Sequence, residues 1–112
     1  MAGMELKIVS DNTDEIAEIV RHQTRVALEV VGMQAEGYSK RLCPVDTGNL
    51  RNSITHTSDD DTAYIGTNVE YAPYVEYGTS RTKAQPFLKP AANNHVDEYR
   101  AIFEYYYRNT DG

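Results

Sequence analysis

Between residues 16 and 42 apolar positions return every third or fourth residue. Ile16, Ile19, Val20, Gln23, Ala27, Val30, Val31, Gln34, Tyr38 and Leu42 thereby share one face of a long helix, while Arg21, Arg25, Glu29 and Glu36 fall mainly elsewhere. Asp11, Asn12 and Thr13 are candidates to cap its start. Asp14, Glu15 and Glu18 place negative charge where the helix dipole favours it. Pro44 ends it, because the residue before a proline is pushed out of the helical region. Such a helix is ~40 Å long, more than a domain of this size covers, so one end is expected to project or to pack on a neighbouring subunit. Gly32 and Gly37 interrupt it, each at a cost of about 1 kcal/mol relative to alanine. Gly32 is expected on the polar side. Gly37 lies at the margin of the stripe, where it either admits a close-packed backbone or is a plain weak spot.

Elsewhere the period changes. Leu6, Lys7 and Ile8 alternate as a short edge strand would. Residues 44–53 read as a turn with capping chemistry, in which Asp46 or Thr47 accepts backbone N–H groups and Gly48 is free to take positive φ. Residues 53–58 and 63–69 read as two strands around a polar tip, Asp59-Asp60-Asp61. Ile54 then faces the core, Thr55 and Thr57 point outward, and Tyr64 and Ile65 take opposite faces. Tyr71, Tyr74 and Tyr77 lie along one side of a short helical turn that Gly78 breaks, and residues 79–85 form an exposed loop without apolar period. One last helix runs from Pro86 or Pro90 to Arg108, with Leu88, Ala91, Ala92, His95, Val96, Tyr99, Ile102, Phe103 and Tyr106 as its stripe. The expected fold is α+β in a single domain over residues 1–112: a long N-terminal helix, a small antiparallel sheet or β-hairpin, an exposed loop and a C-terminal helix. Residues 1–12 supply a short strand and the helix cap, and 109–112 a flexible tail. A two-stranded hairpin is marginal alone, so it must pack on the helices or join a further strand.

Composition changes this picture mainly by exclusion. The chain is 40% hydrophobic and 25% charged, ordinary for a globular protein. No apolar run is long enough for a membrane span and no signal pattern opens the chain, so a soluble, unprocessed protein is expected. Net charge is −6 and the eleven basic residues are scattered, which disfavours a grip on nucleic-acid phosphates. The single Cys43 excludes an internal disulfide and sits where a helix dipole disfavours a thiolate. His22, His56 and His95 fall on three different elements, and Asp59, Asp60 and Asp61 lack the spacing of a calcium loop. Nothing fixes a distance between Glu70 and Glu76, and the glycines are isolated, so neither a paired-carboxylate site nor a phosphate loop emerges. No cofactor or metal is expected. The nine tyrosines cluster at 71–77 and 99–107, in a chain with no tryptophan. Base stacking needs a positive groove, so interface or core packing is the expected use. Tyr105, Tyr106 and Tyr107 cannot all face one core.

Three stretches in order carry a family resemblance. They are Pro44-Val45-Asp46-Thr47-Gly48-Asn49-Leu50-Arg51-Asn52-Ser53-Ile54, then Ile65-Gly66-Thr67-Asn68-Val69-Glu70-Tyr71-Ala72-Pro73-Tyr74-Val75-Glu76-Tyr77-Gly78-Thr79, then Gln85-Pro86-Phe87-Leu88-Lys89-Pro90-Ala91. Together they resemble the tail-component (neck, or tail-completion) family of long-tailed bacteriophages. The resemblance implies a structural virion protein without enzymatic activity, present in the host cytoplasm during assembly. Its partners would be the head connector on one side and the tail terminator or tail tube on the other. It would join them as part of a homo-oligomeric ring around the DNA channel, and could be monomeric when free. Sequence-specific nucleic-acid binding and membrane contact are not expected. By the same resemblance Asp46, Thr47, Gly48, Leu50 and Arg51 shape the turn between helix and sheet. Tyr71, Ala72, Tyr74, Glu76, Gly78 and Thr79 form a core-and-loop segment, and Pro86, Phe87 and Pro90 start the last helix. Tyr77 and Arg81 complete the candidate motif and interface residues. A small adaptor or inhibitor module that binds a host protein is the alternative.

Overall fold

Alternation along residues 63–67 decides the sheet. In β3 (Thr62–Thr67) Ala63, Ile65 and Thr67 are buried, whereas Tyr64 and Gly66 lie half-buried on the other face. A computed structural model, which describes residues 3–9, 18–44 and 48–109, makes this strand the centre of an antiparallel sheet. The helix-cap candidates Asp11, Asn12 and Thr13, the acids Asp14 and Glu15, Ile16, the turn residues Asp46 and Thr47, and residues 110–112 lie outside the described residues. β1 (Met4–Val9) pairs with β3 along one edge, Leu6 opposite Ile65. β2 (Thr55–Ser58) pairs along the other, His56 opposite Ile65. The hairpin thus gains the third strand that its marginal stability requires. Thr55 and Thr57 are exposed and Ile54 is buried, as their alternation implies.

Ser53, expected at the start of the strand, instead ends a short helix, α2 (Gly48–Ser53). Its hydroxyl donates to the Leu50 carbonyl at 2.6 Å and therefore accepts from the Thr67 hydroxyl, 2.5 Å away. At the other end of the hairpin Asp59 shapes the tip. Its Oδ1 accepts the Asp61 and Thr62 N–H groups at 3.1 and 2.9 Å, the local bonding that makes aspartate a turn residue.

The long helix α1 (Glu18–Leu42) packs between the sheet and the C-terminal helices, with the core where these layers meet. Its buried face is turned from the one expected. Gln34 and Leu42 are exposed, and Thr24, Ala27, Leu28, Val31, Gly32, Ala35 and Ser39 are buried. The stripe of larger apolar residues misled because two layers cover the helix, and small side chains let both approach. Gly32, expected on the polar side, is for the same reason the one a neighbour approaches, and Gly37 is the plain weak spot of its two readings. A Cβ on Gly32 would meet the His56 ring at 2.9 Å, whereas one on Gly37 would meet nothing within 4 Å.

The single last helix is in fact two, α4 (Lys89–Asn93) and α5 (Val96–Arg108). The backbone turns at Asn94 and His95, and the His95 ring stacks on Tyr38 at a centroid distance of 3.6 Å. The Tyr99 hydroxyl, buried, donates to the Ala91 carbonyl at 2.5 Å and so satisfies an acceptor that an unbroken helix would have paired internally. The break leaves Val96 exposed, outside the stripe in which it was expected. α5 then runs antiparallel to α1. Tyr38 bonds Glu98 at one end, while the Gln23 amide donates to the Tyr106 carbonyl at 2.8 Å and Thr24 meets the Tyr107 hydroxyl at 2.8 Å at the other. The molecule follows the long helix: it measures 53 × 25 × 21 Å. Its radius of gyration is 15.5 Å, against about 13 Å for a compact chain of this length.

Candidate functional site

The helix α3 (Ala72–Tyr77) is too short to hold itself, and a buried carboxylate ties it to the rest of the fold. Glu76 is 2 % exposed. Its Oε1 accepts the N–H groups of Phe87 and Leu88 at 2.9 Å each, and its Oε2 accepts that of Lys89 at 3.0 Å. Those amides lead into α4, whose own cap position, Leu88, offers no side-chain acceptor. A carboxylate there satisfies donors that the helix start leaves unpaired, and its charge suits the dipole. Phe87 and Leu88, fixed by those bonds, are fully buried.

The chain between Glu76 and Phe87 is a closed loop. Gly78 has φ +78°, and a Cβ there would lie 2.7 Å from the Ala84 nitrogen and 2.8 Å from the Thr82 oxygen, so both conformation and space demand glycine. The Thr79 N–H donates to the Thr82 carbonyl at 2.8 Å, and the Thr79 hydroxyl accepts from the N–H groups of Arg81 and Thr82. The Gln85 N–H donates to the Val75 carbonyl at 2.8 Å and closes the base. The loop is exposed, as expected, but its backbone is bonded at the tip and at the base.

With Glu76 turned inward, the other side of α3 faces solvent. Tyr74 is 61 % exposed, Tyr77 57 % and Tyr71 38 %. Together with Pro44, Val75, Thr79, Thr82, Lys83 and Gln85, Tyr71 and Tyr74 line a groove of about 210 Å³. The Lys89 ammonium lies 5.5 Å from the centre of the Tyr77 ring. Two basic residues thus reach this face, Lys83 in the groove and Lys89 by Tyr77, and from Tyr77 to Val96 the chain carries Arg81, Lys83 and Lys89 and no acid. Neither Lys83 nor Lys89 stood out in the sequence, although the acid-free interval was legible there.

The remaining candidates divide by burial. Leu50 and Phe87 belong to the core, Arg51 and Pro90 are half-buried, and Gly48, Arg81 and Pro86 are exposed. Asp46 and Thr47 fall outside the described residues.

A second polar cluster joins α1 to β2. The His56 Nδ1 lies 2.7 Å from Glu36 Oε1 and its Nε2 2.7 Å from Glu29 Oε1. A carboxylate only accepts, so the two contacts favour the charged imidazole, in which both ring nitrogens donate. Burial opposes that charge, but the bonds to Glu36 and Glu29 outweigh it and raise the histidine pKa above its ordinary 6.5. The His56 bond lowers Glu29, while Glu36 is lowered by His56 and Lys40 against the effect of its burial. Cys43 is buried, which pushes its thiol up and away from nucleophilic use. Among the described residues no group of three histidine, cysteine or acidic side chains could hold a metal, and no helix is long and apolar enough to cross a membrane.

No curated protein and no solved structure matches the chain. A family model described as "Bacteriophage HK97-gp10, putative tail-component" matches residues 8–78, from β1 through the long helix and the sheet to Gly78. The third stretch of the resemblance, residues 85–91, lies beyond that span but is bonded to it through Glu76. Since the match takes in well over half of its length, the chain belongs to the HK97-gp10-like family of bacteriophage tail components.

Proposed function

We propose that this tail component acts at the head–tail junction, as a neck or tail-completion subunit that joins the head connector to the tail terminator or tail tube. Its role there is structural rather than catalytic. It assembles with copies of itself into a ring around the DNA channel, and Tyr71, Tyr74, Tyr77 and the loop after Gly78 belong to its contact surface. The observation that carries this reading is the row of solvent-facing tyrosines on a short helix held rigid by a buried glutamate. Tyrosine buries a large surface at little cost in conformational entropy, and its hydroxyl tolerates the wet rim of an interface. The elongated form supports the same reading, because a ring subunit shares its flanks with neighbours.

Electron microscopy of phage lacking the gene tests the proposal. Full heads and finished tails that remain separate are the expected outcome. Normal, joined particles would show that the junction does not need this chain.

A further inference from the structure

Two surfaces of opposite charge lie at different levels along the long helix. At one lies the tyrosine groove, whose polar side chains include Lys83 and two tyrosine hydroxyls, beside Arg81 and Lys89. Glu76, on the same helix, is spent inside on backbone amides and leaves no charge on this face. The nearest exposed acid along the chain is Glu70, just before Tyr71. At the other level lies the β2–β3 tip, with Asp59, Asp60 and Asp61 in succession. Asp59 is consumed in shaping the turn, so the tip presents Asp60, whose side chain is 90 % exposed, and Asp61.

Position along α1 decides who can meet whom. Asp60 lies 3.8 Å from Arg25, whereas Pro44, just past the helix end, lines the groove. From Arg25 to Leu42 the helix rises ~25 Å, so a tip fixed to the sheet cannot reach the groove of its own chain. The Arg25–Asp60 pair is exposed and too weak to withhold the tip from a partner.

We infer that the groove lined by Tyr71, Tyr74 and Lys83 receives the Asp60–Asp61 tip of a second copy of this chain, head to tail. The inference rests on the ring proposed above and names its contact. A contact between two different surfaces of one subunit is the kind that builds rings when its rotation closes. Both sides are ordered in advance, the groove by Glu76 and Gly78 and the tip by Asp59, which lowers the entropy lost on docking. Carboxylates of one copy meet tyrosine hydroxyls and cationic groups of the next, so the charges select orientation as well as partner.

The test is a charge swap in phage that depends on the gene. Asp60→Lys with Asp61→Lys reverses the tip, and Arg81→Glu with Lys83→Glu reverses the groove. All four residues are exposed and outside the core, and recovery of function in the combined variant shows that each half folds. Each reversal alone is expected to abolish plaque formation, and the four changes together to restore it. Tyr74→Ala is expected to reduce plaque formation both in the natural chain and in the combined variant. Reversals that leave plaque formation intact, or a combined variant as defective as its parents, would overturn the contact. Those results would leave the junction role standing, since that role is tested separately, by whether phage without the gene makes joined particles.

Discussion

At the residue scale the fold turns on Glu76. The family motif marked it as part of a core-and-loop segment, but its work was not legible, because the amides it binds lie eleven to thirteen residues further along the chain. Glu76→Ala would leave three donors without a partner where water scarcely reaches. At about 1–3 kcal/mol for each buried unsatisfied group, the loss is expected to be on the order of 3 kcal/mol or more. Glu76→Gln keeps an accepting oxygen and is expected to lose less, as denaturant unfolding of both variants would measure. The glycines of α1 give a paired test. Gly37→Ala meets no neighbour and is expected to stabilise by up to about 1 kcal/mol, the difference in helix propensity. Gly32→Ala is expected to destabilise, because the ring it displaces is held by two carboxylates. Sequence periodicity put Gly32 on the polar side and left Gly37 open between a close contact and a weak spot, since it registers hydrophobicity and not which neighbour comes close.

Elements were more legible than the bonds between them. Strand alternation located β2 and β3 and the inward Ile54 and Ile65, and a three-residue pattern was enough to find β1. The break between α4 and α5 was hidden, because the apolar stripe runs on through it, and what stabilises it is a long-range stack and one phenol. Tyr99→Phe is accordingly expected to cost about 1–3 kcal/mol, the loss of a buried carbonyl's partner, in thermal or denaturant unfolding. The His56 clamp between α1 and β2 carries a pH signature. Its histidine is raised above 6.5, so that contribution is complete below 6.5 and fades as pH climbs through the raised value. Its glutamates are lowered below 4.5, so theirs is complete above 4.5 and fades as pH falls through the lowered values. The stability difference between the natural chain and His56→Gln is therefore expected to be largest between about pH 4.5 and 6.5 and to shrink on the alkaline side. A difference that grew above pH 7 would contradict the charged bridge.

For the whole molecule, length and surface carry the functional account. Although the long helix is bonded along α5 from Gln23 and Thr24 to Tyr38, the sequence already showed its length and a surplus of tyrosines. It could not show that Tyr71, Tyr74 and Tyr77 share an exposed face with Lys83, because the loop that brings them together closes through Gln85 and Val75. Membership of a tail-component family places the chain among virion structural proteins, and the head–tail junction is the position proposed for it there. Reconstruction of the intact virion neck by cryo-electron microscopy tests that position most directly. A ring of elongated subunits, each matching the 53 × 25 × 21 Å form and lying between head connector and tail, is the expected density. A junction fully accounted for by other proteins, with this chain elsewhere in the tail or absent from the particle, would contradict it.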